Sequence, residues 1–384
     1  MTTTTTTTAS ALLASVSLLS CTLDYDLDVA PVNTAAIAAQ GPLDILFVVD
    51  NSGSMLDEHE TLVRTVFDDR CPIGDLRAVP QRFANASPEM LGELAKICGL
   101  AQLLAAIDGD FHIGVITTDV GACDERLPSA QDPDGLHTPT PMRGCLQGGG
   151  VLTRDDDVLA AFQGSMLGVG TYGNPRERGF DAMKAFLDPG SRRAPGCEDD
   201  LDGFLREDGQ LLVVFVADED DCSHADGAFG FDDELAAEPA GCGEYFDLFT
   251  HSTQACTDDA EHLAPVSLYS DFLTGLRTSG QTQNVYVGVV GGLFESRGVQ
   301  VPGACSPDIG GTVTAVCTPA FGTGNSCGPE ESCCAADGAF RYAELAAAVN
   351  SEALLGSICA PDFRAPLLPI FFQSDLQDDA SDDG

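Results

Sequence analysis

Asp50, Ser52 and Ser54 stand at alternate positions immediately after an apolar run, in the stretch "LDILFVVDNSGSM" from Leu43 to Met55. A carboxylate and two hydroxyls so spaced can converge on one side of a tight turn, and Gly53 lets the backbone bend there. Hard divalent cations take oxygen ligands of this kind, and Mg²⁺ keeps roughly octahedral geometry with some water retained. Three side chains do not complete such a shell, so other loops must contribute. A second apolar run ends in the same way: "LLVVFVADEDDCS" places Asp218 just past it. Between the two, "GVGTYGNPRERGFDAM" precedes a helical pattern and offers Thr171, Asn174 and Glu177 as further donors. Glu219, Asp220 and Asp221 read individually as a solvated acidic turn. Asp50 and Ser52 have a competing reading as an amino-terminal helix cap.

Catalytic chemistry finds less support. His112 falls in an expected strand, His137 and His224 in expected loops, and none belongs to a partnered motif. The chain has no H-E-x-x-H pair and no EF-hand loop, so a hydrolase or other enzyme is not expected. A metal with an open position can activate water, but that chemistry also needs a general base.

The elements that must carry these side chains follow from hydrophobic patterning. Apolar runs at 44–50, 111–119, 211–218 and 284–292 are short, rich in Val, Ile and Phe, and end in Asp or Gly. Such runs suit strands buried on both faces, as in a parallel sheet. Helical patterns lie between: "MLDEHETLVRTVFDD", "SPEMLGELAKICGLAQLLAAI" with a Ser cap and Pro at its first position, "PRERGFDAMKAFL", "SDFLTGLR" and "RYAELAAAVN". Alternating strands and helices imply a doubly wound, mostly parallel α/β sheet. Three long Gly-, Pro- and Cys-rich connections, 120–150, 219–265 and 293–340, leave strand carboxyl ends, where ligands of open α/β sheets bind.

Charge and cysteines bound the setting. Sixty Asp and Glu face 18 Lys and Arg among 384 residues, a formal net charge of −42, which disfavours nucleic acid and anionic membrane surfaces. The apolar run within "ASALLASVSLLSC" is too short to span a bilayer, and its end at Cys21 resembles a bacterial lipobox, although no Lys or Arg precedes Arg64. Lipidation of Cys21 would leave an even fourteen of the fifteen cysteines for bridges in an oxidising compartment. Proximity suggests Cys71 with Cys98, Cys123 with Cys145, Cys197 with Cys222 and Cys242 with Cys256. Cys305, Cys317, Cys327, Cys333, Cys334 and Cys359 remain to pair among themselves. The expected organisation is a signal segment over 1–21, a tether over 22–42, one domain over 43–373 and a disordered acidic tail over 374–384.

The strand and loop at 43–55, with the acidic strand end at 211–223 and the loop at 168–187, resemble the von Willebrand factor type A domain and its D-x-S-x-S metal-ion-dependent adhesion site. The combination with a lipobox and many cysteines resembles disulfide-rich bacterial lipoproteins carrying that domain. The resemblance implies a divalent cation, Mg²⁺ first with Mn²⁺ or Ca²⁺ as alternatives, held by Asp50, Ser52, Ser54, Asp218 and Thr171. It implies further a protein partner whose carboxylate fills an open coordination position. The three long loops leave the strand edge that bears Asp50 and Asp218, and are expected to form a rim that selects the partner. A lipid-anchored envelope adhesion module follows; the alternative is a structural envelope protein whose metal only stabilises the fold.

Overall fold

A computed structural model describes residues 41–52, 54–79, 88–106, 109–120, 144–171, 177–188, 197, 199–223, 263–296, 299–302, 336, 338–350, 354–358, 360, 363–364 and 367–368. The leader, Cys21, most of the tether and the acidic tail lie outside this set, as do Asn174, His137, His224 and the cysteines at 123, 242, 256, 305, 317, 327, 333, 334 and 359.

The apolar runs form the expected strands: β1 Leu43–Val49, β2 Phe111–Thr117, β4 Gln210–Val216 and β5 Asn284–Gly291. Two short strands complete the sheet, β3 Leu152–Thr153 and β8 Leu354–Ser357. The order is β3-β2-β1-β4-β5-β8, parallel throughout except for β3, which runs antiparallel to β2. A hairpin of β6 Leu293–Ser296 and β7 Val299–Pro302 opens the segment at 293–340, where the sequence suggested only a connection.

Seven α-helices flank the sheet among the described residues: α1 Leu56–Val66, α2 Pro88–Ala95, α3 Leu100–Ala106, α4 Val158–Val169, α5 Gly179–Leu187, α6 Val266–Thr278 and α7 Phe340–Val349. The two-residue period of β1 divides the core between the faces. Ile45, Phe47 and Val49 pack against α1, α2, α3 and α4, while Leu46 and Val48 join the cluster built by α5, α6 and α7. The central strands are therefore packed by apolar residues on both faces over most of their length, which is why the runs are continuous rather than alternating.

The pattern over 87–107 predicts one helix, but the chain breaks it into α2 and α3. Gly99 sits at the break with its backbone against that of Val66; a β-carbon there would stand 2.3 Å from the Val66 carbonyl oxygen. The Gln102 side chain accepts from Gly99 N–H at 2.8 Å and from Asp68 N–H at 3.1 Å, closing the gap. A disulfide between Cys71 and Cys98, with Cα atoms 4.6 Å apart, ties the break to the end of α1. The expected bridges Cys123–Cys145 and Cys197–Cys222 are not formed: Cys145 is joined to Cys197, across 52 residues. Cys222 is disulfide-bonded as well. Sequence proximity fails here because the sheet brings distant loops together. These bridges place the chain in an oxidising compartment, and among the described residues no helix is long and apolar enough to cross a membrane.

Candidate metal centre

The parallel register sets β1 between β2 and β4, with Val49 level with Thr117 on one side and Val216 on the other. Strand order reverses direction around β1, so the carboxyl ends of β1 and β4 flank the crevice where doubly wound sheets bind ligands. Asp50 follows β1 and Asp218 follows β4 by one intervening residue, and both are buried.

Local structure holds the β1 loop tightly. Asp50 donates its N–H to Val216 O at 2.9 Å, continuing the ladder one residue past the strand. Its Oδ1 accepts from Ser52 N–H at 2.7 Å, an Asx turn that reverses the chain into α1. The His59 Nε2–H, on the first turns of α1, donates to the Asp50 carbonyl at 2.9 Å, and burial pulls this imidazole below its ordinary value. His59 is thus a neutral brace, a role its isolated position in the sequence does not announce. The hydroxyls of Ser52 and Ser54 lie 2.9 Å apart, and Ser54 also hydrogen-bonds the Asp218 carboxyl. Ser52 is buried but Ser54 is exposed, so the site opens to solvent beside Ser54.

A third carboxylate joins them. Glu177, at the start of α5, is buried within hydrogen-bonding reach of the Asp50 carboxyl and accepts from the Thr118 hydroxyl. Thr171, the donor implied by the family resemblance, lies just past Gly170 at the end of α4 and is half-buried. Among the described residues no hydrogen bond links Thr171 to Asp50, Ser52, Ser54 or Asp218.

Electrostatics separates this cluster from four of the other buried acids. Asp44 is paired with Arg206 at 2.6 Å, Asp68 with Arg70 at 2.6 Å, Asp181 with Arg178 at 2.8 Å and Asp221 with Arg341 at 3.2 Å. No ion pair engages Asp50, Glu177 or Asp218 among the described residues, and one oxygen of each (Oδ2, Oε1 and Oδ1) is buried with no hydrogen-bond partner. Burial first, and the Asp50 charge second, push the carboxyls of Glu177 and Asp218 well above their ordinary values. Buried, unpaired carboxylates at this range require a cation or shared protons. Three carboxylates and two hydroxyls on a rigid sheet edge form a donor set that a hard divalent ion fits.

The loop after Asp218 is not the solvated turn its composition suggests. Asp221 is fully buried and accepts from Phe180 N–H at 3.0 Å, capping α5. Ser223 donates its hydroxyl to Asp221 at 2.8 Å and accepts from Asp181 N–H at 3.0 Å. Tyr269 of α6 donates to Asp181 at 2.6 Å. Asp220 accepts from Arg341 N–H at 3.0 Å, and burial followed by the neighbouring Asp221 raises its carboxyl to about 7. Gly179 is required at the base of α5, since a β-carbon there would meet the Tyr342 hydroxyl at 2.5 Å.

Two other candidates prove structural. His112 donates from Nδ1 to Phe204 O at 2.9 Å, and it pairs in register with Asp44, at the opposite edge of the sheet from Asp50. Cys145, Cys197 and Asp200 gather three ligand-type atoms within 4.8 Å, a grouping that could hold a metal if its sulfurs were free. Those sulfurs are joined in a disulfide and offer no thiolate, while Asp200 accepts from Leu146 N–H at 2.7 Å.

The raised acids give a pH prediction for the chelated protein. Below about pH 4 both folded and unfolded chains hold these protons, and stability from this source is complete. As pH rises the unfolded chain ionises first, near 3.8 for Asp218 and Asp220, while the folded chain retains its protons up to about 7 at Asp220. The melting temperature in EDTA should therefore fall between about pH 4 and pH 7, and a saturating divalent cation should remove the part of that slope owed to Asp218 and Glu177 while leaving the part owed to Asp220. A chelated protein that gains stability across this window would contradict the assignment.

Comparison with family models, with curated proteins and with solved structures finds no match for this chain.

Proposed function

We propose that the chain is an exported, divalent-cation-dependent protein-binding module of the von Willebrand factor A type. The observation carrying this reading is the convergence of Asp50, Ser52, Ser54 and Asp218 at the sheet's switch point, with buried carboxylate oxygens that have no hydrogen-bond partner among the described residues. When bound, the cation supplies a Lewis-acidic position that takes a carboxylate oxygen from a partner. Asp50 and Asp218 contribute charge and the serine hydroxyls neutral oxygens, with Asp50, Ser52 and Asp218 buried and Ser54 exposed.

The residues around the cluster support binding rather than bond chemistry. His59, the imidazole nearest Asp50 among the described residues, commits its Nε2–H to the Asp50 backbone carbonyl, so that nitrogen offers no lone pair to the site. The burial of Asp50, Ser52 and Asp218 also favours a second reading, in which the cation only stabilises an envelope protein. Affinity capture from envelope extracts distinguishes them. Capture with Mg²⁺ or Ca²⁺, lost with EDTA and lost in Asp50→Ala, supports the binding module. Cation-dependent melting with no cation-dependent partner supports the structural reading.

The lipid anchor belongs to the same proposal. A mature amino terminus at Cys21 carrying diacylglycerol is the expected mass-spectrometric result, and an unmodified terminus elsewhere would refute the anchor. The cysteine-rich stretches of 120–150, 219–265 and 293–340 would supply partner selectivity around the cation, because loops on a rigid scaffold concentrate binding residues.

A further inference from the structure

Glu177 is pinned by its backbone between two strand ends. Its carbonyl accepts from Cys222 N–H at 2.6 Å in the loop after β4, and the adjoining Arg178 donates its N–H to Thr118 O at 3.2 Å, just past β2. The side chain is directed inward and is 1% exposed. Oε2 accepts from the Thr118 hydroxyl, while Oε1 is buried with no hydrogen-bond partner, and the carboxyl faces that of Asp50.

A glutamate serving only the fold would be expected to look like Asp44, Asp181 or Asp221, each of which has an arginine. Glu177 has one neutral hydroxyl, the Asp50 carboxylate opposite it and the Glu219 charge nearby. That arrangement is costly unless a cation lies between the two carboxylates or they share a proton. Taking the metal-binding reading above as its premise, we propose that Glu177 is an internal carboxylate ligand of the cation, and that a partner's carboxylate must displace it to reach the metal. Three carboxylates already outweigh a doubly charged ion, so a fourth is admitted only when one withdraws. Glu177 is the one suited to withdraw. Asp50 is tied into the Asx turn and Asp218 to Ser54, whereas the Glu177 carboxylate has Thr118 as its remaining partner and one more side-chain torsion than an aspartate. The free protein therefore holds its cation tightly and binds carboxylates weakly. A set with this many carboxylate oxygens also suits Ca²⁺, which takes six to eight oxygens, better than Mg²⁺.

Glu177→Gln and Glu177→Ala test this against the unaltered protein, with Ca²⁺ and Mg²⁺ alone as probes in calorimetry and thermal unfolding. Tb³⁺ serves as a luminescent substitute whose lifetime counts bound waters, and acetate as the carboxylate probe. In EDTA, Glu177→Gln should melt higher than the unaltered protein, because a like charge has left a buried cluster. Its Ca²⁺ affinity should fall about tenfold or more, with a smaller cation-induced rise in melting temperature. Tb³⁺ in Glu177→Ala should retain about one extra water, and acetate should displace it at concentrations that leave the unaltered protein unchanged. A Glu177→Gln protein that melts lower in EDTA and binds Ca²⁺ undiminished would make Glu177 a fold element, overturning this inference while the proposed function stands. An unaltered protein that binds neither Ca²⁺ nor Mg²⁺ would overturn both.

Discussion

Asp50→Ala should bind Mg²⁺, Mn²⁺ or Ca²⁺ about a hundredfold more weakly than the unaltered protein, whereas Ser52→Ala should lose about tenfold or less. The difference follows from charge. Two unit charges 4 Å apart at an effective dielectric near 20 interact by about 4 kcal/mol, and the cation is doubly charged. Part of that loss is offset because Glu177 and Asp218 no longer face a third anion. A net loss of about 2–3 kcal/mol corresponds to the stated change, at about 1.4 kcal/mol per tenfold. Ser52→Ala removes a neutral oxygen and a hydroxyl contact to Ser54, without altering the charge balance. Asp50→Asn separates loss of charge from loss of the turn, since its side-chain oxygen can still accept from Ser52 N–H. Calorimetry at fixed ionic strength measures all three. Undiminished cation binding in both Asp50 variants would remove Asp50 from the site.

The contrast between what the sequence announces and what the fold adds is visible at this site. Asp50 and Asp218 are legible because each ends a continuous apolar run, and parallel strands deliver their carboxyl ends to one edge. Thr118 follows by the same logic, since "FHIGVITTD" ends level with β1, yet a threonine after a strand carries no charge to single it out. Glu177 is harder. It precedes α5 in a loop with several polar residues, and the backbone bonds from Cys222 and Arg178 that fix its position are not legible in the sequence. The acidic run at 218–221 misleads because exposure cannot be read from composition. The arginine that neutralises Asp221 comes from α7, 120 residues away. Helix α4 was hidden for a related reason: "VLAAFQGSMLGV" is apolar on nearly every side and contains two glycines, so its helical period is weak. The division of α2 from α3 reflects a tertiary constraint, the approach of Gly99 to Val66, which overrides a locally adequate helical pattern.

Arg341→Met should destabilise the protein by about 3–5 kcal/mol, the usual cost of leaving a buried charge without its partner. Arg341 donates from Nε to Asp221 at 3.2 Å and from its terminal NH₂ to the Ala264 carbonyl at 2.7 Å, and its guanidinium lies 5.5 Å from the centre of the Phe180 ring. Its backbone N–H serves Asp220 at 3.0 Å. Removal of the guanidinium would leave Asp221 fully buried, with Phe180 N–H, Ser223 N–H and the Ser223 hydroxyl as its hydrogen-bond donors among the described residues. Arg341→Met together with Asp221→Asn should recover much of the loss, because the orphaned charge disappears while the Asn oxygen can still cap α5. Unfolding in guanidinium under non-reducing conditions measures the cycle, and recovery of less than about 1 kcal/mol would show that the ion pair is not the cause. The consequence for the site is the more informative part. Asp220 and Asp221 shape the loop that carries Asp218, so the single variant should also weaken Ca²⁺ binding at temperatures well below its melting point, and the double variant should restore it. Were the single variant destabilised but undiminished in Ca²⁺ affinity, the loop would hold Asp218 in place without α7. The positioning of the cluster would then rest on the strands and on the backbone bonds around Glu177 alone.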